Sequence, residues 1–235
     1  DMMHALFQSN WKASDSFYDR LEATGWLSHL NAILSGTVTI VKAIHYDECG
    51  ILVHCSDGWD RTSQLVALAM LCLDPFYRTI QGLQVLIEKE WLAFGHKFSD
   101  RSAHSNKAPS EERSPIFVLW LDCIWQIMRQ YPTILEFNDQ LLLALCEHVY
   151  SCRFGTFLCN NLVERMNAEA KNKTVSFWSW VQERYEMFLN PSFEEYTEGP
   201  VIPSTNPKNI QLWDSYFLRY DLSGIPARAP PQKLL

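Results

Sequence analysis

Ile51-Leu52-Val53-His54-Cys55-Ser56-Asp57-Gly58-Trp59-Asp60-Arg61-Thr62, running on through Leu73, is the stretch that decides the fold. It changes character twice. Ile51 to Val53 is a short apolar run of β-formers, which predicts a strand buried on both faces. Residues 55 to 60 are polar and are interrupted by Gly58, so they read as a tight loop. Thr62 to Leu73 is rich in helix formers and stops at Asp74 and Pro75. The unit is therefore strand, loop, helix. A lone buried strand cannot satisfy its own N–H and C=O groups, so Ile51 to Val53 requires neighbours. The rest of the chain offers none, and the remaining sheet is expected upstream of Asp1. The expected fold class is α/β, represented here by mostly helical sequence.

Working outward, Trp26, Leu27, Leu30, Ile33, Leu34, Val38, Val41 and Ile44 recur at steps of three and four and predict a helix over 24–44. Gly36 weakens that helix, since mid-helix glycine costs about 1 kcal/mol against alanine. A second amphipathic helix is expected over 79–94, with Gly95 at its C-terminal cap. Residues 99–114 read as an exposed polar loop. Further helices are expected over 115–131, 138–151, 160–171 and 176–188, and a short one near 211–218. The segment from Asn190 holds most of the prolines and reads as irregular, with 221–235 a flexible tail.

Composition removes several functional classes. The chain has 235 residues, 47% of them hydrophobic and 20% charged, which suits an ordinary globular core and excludes disorder. Its longest apolar run, Leu65 to Leu73, is about half of what a bilayer-spanning helix requires. A net charge of −7 argues against nucleic-acid partners. The 7 cysteines are odd in number and irregularly spaced, so free thiols are expected rather than a disulfide framework.

Cys55 and Arg61 have the C-x5-R spacing of cysteine-dependent phosphatases. The same spacing recurs at Cys72 with Arg78, Cys123 with Arg129 and Cys159 with Arg165, so spacing alone does not choose among them. Context does. Cys72 and Cys123 fall inside apolar helices whose backbone donors are already used, and Cys159 lacks a preceding strand. Only Cys55 lies between a strand and a helix N-terminus, where loop N–H groups and the helix dipole would bind a phosphate dianion and lower the thiol pKa. Arg61 could hold two phosphate oxygens bidentately. Gly58 permits a loop conformation that a β-carbon would hinder. Thr62 could stabilise the thiolate, and His54 could orient the loop.

The implied reaction is attack by Cys55, a phosphocysteine and its hydrolysis, with no metal or other cofactor. Asp57 and Asp60 are unusual inside a phosphate loop, and one of them kept partly protonated would be a general acid. Capping of loop N–H groups is the other reading of both carboxylates. Lys97 and Arg101, at i and i+4, could flank one anion if helical, or be solvated surface charges. Cys146, His148, Cys152 and Cys159 have no paired metal-ligand spacing.

Read whole, Val53 to Thr62 resembles the signature loop of the myotubularin family of phosphoinositide phosphatases. Trp26-Leu27-Ser28-His29, Tyr77-Arg78-Thr79-Ile80, Glu88-Lys89-Glu90-Trp91, Phe94-Gly95-His96-Lys97-Phe98, and the segments Tyr150 to Cys152 and Phe154 to Asn160 are similar to family segments as well. The resemblance covers about 16–220. It implies a tyrosine-phosphatase-like α/β fold, with residues 1–220 the carboxy-terminal part of the catalytic domain. It also implies removal of the 3-phosphate from phosphatidylinositol 3-phosphate and phosphatidylinositol 3,5-bisphosphate at endosomal membranes.

By the same resemblance Cys55, Arg61 and Asp60 are catalytic. Ser56, Asp57, Gly58 and Trp59 line the substrate, and Lys97 and Arg101 approach a 5-phosphate. Cys55 and Arg61 are both present, as in the active branch. The family's pleckstrin-like module, the first part of its phosphatase domain and its coiled-coil or zinc module have no counterpart here. Homo- or hetero-oligomers with other family members would form through such segments. The rival readings are a protein tyrosine phosphatase and a phosphoinositide-binding adaptor.

Overall fold

In a computed structural model of the chain, residues 16–104, 110–196 and 198–219 are described. Within them the regular structure is helical. The one β pairing is an isolated antiparallel bridge between Phe137 and Leu189.

A first short helix, α1 (Ser16–Ala23), leads into α2 (Trp26–His45), close to the expected 24–44. Trp26, Leu30, Leu34, Thr37 and Val41 form its buried stripe, spaced by three or four residues as one helical face demands. By length and composition alone α2 could cross a bilayer, but here that stripe packs against α3 (Arg61–Leu73) and α6 (Ile116–Gln130). Gly36 has a packing reason. A β-carbon there would sit 2.9 Å from Leu65 Cδ2, so glycine lets α2 lie close to the helix that leaves the Cys55 loop.

Helix α6 is the hub. Phe117, Val118, Trp120, Leu121, Cys123, Ile124 and Ile127 are all buried, so it is enclosed on nearly every side. Its two buried polar residues are satisfied. Asp122 accepts from Trp26 Nε1 at 2.7 Å and from Gln126 Nε2 at 3.0 Å, and Gln126 bonds the backbone of Gln211 in both directions. Desolvation pushes the Asp122 carboxyl up to about 7.

The expected helix over 79–94 is two pieces. An α-helix, α4 (Ile80–Ile87), continues as a π-helical turn over Glu88–Ala93. Gly95 follows with φ +85°, and the chain turns into a one-turn helix, α5 (Phe98–Arg101). Thus 99–114 is not one polar loop: it starts in α5 and ends in a 3-10 turn at Ser110–Glu112, and 105–109 lie outside the described residues. The later helices are α7 (Asp139–Ser151), α8 (Leu162–Asn167), α9 (Ala170–Lys173), α10 (Phe177–Gln182), α11 (Tyr185–Phe188) and α12 (Asp214–Phe217). The expected single helices over 160–171 and 176–188 are therefore each broken in two. Glu169, with φ +51°, makes the first break. The expected tail at 221–235 lies outside the described residues.

Ile51 to Val53 departs most from expectation. The residues belong to no strand, Leu52 is 88% exposed and Ile51 is 43% exposed. With no ladder partner among the described residues, there is nothing to bury this run or to define it as β. The α/β expectation is not met within the described part of the chain.

The other end of α3 is tightly held. Arg78 is 1% exposed, and its guanidinium donates to the carbonyls of Leu71, Cys72 and Tyr196 at 3.1, 2.9 and 2.8 Å. Val201 N donates to the same Cys72 carbonyl. The Cys72–Arg78 repeat of the phosphatase spacing is thus a C-terminal cap.

Candidate active site

The loop between Val53 and α3 is folded around a sulfur. Gly58 N donates to Cys55 Sγ at 3.1 Å and the Thr62 hydroxyl at 3.2 Å. Gly58 has φ +90°, in the region that favours glycine, and that turn aims its N–H at the thiol. The Thr62 bond is the largest cause of the Cys55 shift and partial burial opposes it. With the backbone donors of Gly58, Asp57 and Thr62, the thiol falls from 9.0 to about 7. Cys55 is half-buried and lies just before the N-terminus of a 13-residue helix.

The other repeats of the spacing differ. Burial pushes Cys72 up to about 12 and Cys123 well above 9.0. Cys159 has φ +65°, and Arg165 donates to its carbonyl, not its sulfur, at 3.5 Å. Arg61, the first residue of α3, is exposed and its Nη2 donates to Ser56 Oγ at 2.9 Å. That bond folds the arginine over the loop. Asp57 and His54 are exposed.

Asp60 caps no helix N–H with its side chain. Its carboxylate points instead at residues beyond the π-helical turn. Oδ1 lies 2.7 Å from His96 Nδ1, and Oδ2 accepts from Arg101 Nε at 3.1 Å and Nη2 at 2.8 Å. Burial would raise the Asp60 pKa, but the hydrogen bonds and charges of His96 and Arg101 outweigh it and the carboxyl is held below its ordinary 3.8. Arg101 also donates through Nη1 to the carbonyl and carboxylate of Glu112, both at 2.6 Å.

Lys97 and Arg101 do not converge on one point. The Lys97 ammonium lies over the Trp59 ring, 4.9 Å from its centroid, while Arg101 reaches Asp60. They clasp two successive residues of the loop. The structure thus brings Cys55, Ser56, Gly58, Trp59, Asp60, Arg61, Lys97 and Arg101 into one assembly. His96 was missed because its partner is distant in sequence, Asp60 and His96 being 36 positions apart, and Glu112 because it joins the site only through Arg101. The surviving signal was the Gly95 cap, which turns the chain so that His96 enters the core.

A scan against family models matches residues 1–166 to the myotubularin-like phosphatase domain. The chain belongs to the myotubularin family. Among curated relatives of this family, it is 45% identical over 229 residues to the phosphatidylinositol-3,5-bisphosphate 3-phosphatase MTMR2 of Mus musculus, covering 93% of this chain and 36% of that protein. It is 46% identical over 220 residues to the phosphatidylinositol-3,5-bisphosphate 3-phosphatase MTMR8 of Homo sapiens, covering 93% and 31%. It is 42% identical over 215 residues to myotubularin of Rattus norvegicus, covering 91% and 35%. The chain therefore spans about a third of the length of the myotubularins it matches.

Proposed function

We propose that this chain carries the catalytic centre of a phosphoinositide 3-phosphatase acting on phosphatidylinositol 3-phosphate and phosphatidylinositol 3,5-bisphosphate. The observation that carries the reading is the Cys55 thiol, lowered to about 7 and held by Gly58 N and the Thr62 hydroxyl at the head of α3. A thiol so placed is substantially thiolate at neutral pH and needs no separate base. The names borne by the relatives from Mus musculus and Homo sapiens supply the substrate class.

In the proposed reaction Cys55 Sγ attacks the 3-phosphate phosphorus, the P–O bond breaks and the inositol hydroxyl leaves with a proton from Asp60. Water then attacks the phosphocysteine, giving its proton to the Asp60 carboxylate and releasing the thiolate. Arg61, freed from Ser56, grips two phosphate oxygens. Ser56, Asp57 and Gly58 line the phosphate, Trp59 walls the inositol ring, and Lys97 and Arg101 face its other phosphate. The substrate implies a peripheral enzyme on an anionic membrane, with endosomes the expected site, and oligomers with other myotubularins would form through other segments. Ile51 to Val53 would join a sheet whose other strands come from residues outside those described, which restores the α/β class. Residues up to 220 would belong to the catalytic unit, because Trp213, Tyr216 and Phe217 pack in the common core.

The test is phosphate release by the full-length protein from short-chain phosphatidylinositol 3-phosphate beside a phosphotyrosine peptide, with Cys55→Ser as control. Release from the lipid alone, lost in the control while lipid binding persists, is expected. Release from the peptide alone would assign a protein phosphatase. Binding without release from either would assign an adaptor.

A further inference from the structure

The environment of His96 determines which oxygen of Asp60 can carry a proton. The imidazole is 1% exposed and packed edge-on between Trp91 and Phe98, with centroid distances of 4.8 and 4.7 Å. Nδ1 faces Asp60 Oδ1, whereas Nε2 is buried and makes no hydrogen bond among the described residues. A proton on Nε2 would be buried without an acceptor, while a proton on Nδ1 is met by a carboxylate. Asp60 and the Trp59 carbonyl favour the imidazolium, but burial is the larger influence and lowers the His96 pKa. The proton that faces Asp60 is therefore on Nδ1, and the ring donates it to Oδ1.

Oδ2 is in a different position. It is covered by Arg101 through Nε and Nη2, and Arg101 has a second anchorage at Glu112 through Nη1. The guanidinium can pivot on Glu112 without losing all of its partners. The charged groups that act on Asp60 are His96 and Arg101 beyond the π-helical turn, with Glu112 acting through Arg101; the other ionisable groups of its own loop are Cys55, Asp57 and Arg61.

We propose that His96 is a positioning residue that reserves Asp60 Oδ1, so that Oδ2, uncovered when Arg101 pivots toward Glu112, is the oxygen that gives and takes the catalytic proton. The inference rests on the reading of Asp60 as the acid. As Cys55 Sγ bonds to phosphorus and the P–O bond breaks, Oδ2–H gives its proton to the leaving oxygen. The carboxylate so formed is the state seen here, with Arg101 on Oδ2. In the second step the attacking water returns a proton to Oδ2 as the P–S bond breaks. An incoming phosphate dianion draws Arg101 away from Oδ2 and, by its own charge, favours the protonated acid.

The experiment measures kcat/KM of the full-length protein on aryl phosphates whose phenols range from acidic to weakly acidic, beside the lipid. An acidic phenol leaves without help, so an acid matters only at the poor end of the series. His96→Phe fills the apolar slot without a donor. It is expected to lower kcat/KM about 10- to 100-fold on the poorest leaving group and on the lipid, and by less than about twofold on the best. His96→Asn, which keeps an N–H near the position of Nδ1, should recover most of the loss. Arg101→Gln should move the limb of the pH profile set by Asp60 to higher pH, because the carboxyl loses its cation.

Equal loss across the series in a folded His96→Phe protein, or no loss at the poor end, would overturn the proposal. So would failure of His96→Asn to recover, or an unmoved limb in Arg101→Gln. If the aryl series behaves as expected and the lipid is not cleaved, the substrate assignment falls and the role of His96 stands.

Discussion

Thr62 contributes more than any other group to the ionisation of Cys55, which makes it the residue to change. Replacing Thr62 by Val removes the hydroxyl 3.2 Å from sulfur and preserves shape. Alkylation of Cys55 by iodoacetamide should titrate near pH 7 in the native protein, and its midpoint should rise toward 9.0 in Thr62→Val. Below pH 7 the variant should react more slowly, because less of it is thiolate. An unmoved midpoint would place the cause elsewhere in the loop. At this scale the sequence was legible wherever chemistry was local. The proximity of Cys55, Gly58 and Thr62 follows from one tight loop leading into a helix, and the buried Cys72 and Cys123 were told apart by their helical settings. The environment of Asp60 was not legible, because His96 and Arg101 reach it, and Glu112 braces Arg101, through tertiary packing that no spacing encodes.

Among the elements, α6 tests how a buried carboxylate shapes stability. The folded-state pKa of Asp122 is raised from 3.8 to about 7, so between those values the folded chain binds more protons than the unfolded one. Stability from this group is therefore greatest at low pH and declines as pH rises toward 7, at about 1.4 kcal/mol for each unit of difference. Chemical denaturation at pH 5 and pH 8 should show that decline in the native protein, and Asp122→Asn should flatten it. A variant with the native slope would remove Asp122 as its source. Helix existence was readable from apolar periodicity, as for Trp26–His45 and Ile116–Gln130. Interruptions were not readable. The π-helical turn at Glu88–Ala93 keeps the apolar pattern of a continuous helix, and the break at Glu169 needs a positive φ from a residue that rarely takes one. Ile51 to Val53 has strand composition, but a strand is a pairing, and composition does not supply the partner.

For the whole molecule, that unpaired run makes the sharpest statement. Leu52, at 88% exposure, is costly to leave in water if it has an intended partner. Amide hydrogen exchange at residues 51–53 should be fast in the 235-residue chain and slowed at least tenfold in a protein of the relatives' length, and Leu52→Asp should destabilise only the longer one. Equal exchange in both would retire the proposed sheet. The closing feature is the Arg78 clasp. A helix is a dipole, and its negative pole usually offsets part of what its positive pole offers an anion. Here a full cation seals the negative pole of α3, in contact with the Leu71 and Cys72 carbonyls. The helix therefore meets the Cys55 loop as a one-ended source of positive potential. Arg78, remote from any bound phosphate, thus neutralises the pole of α3 that faces away from the Cys55 loop.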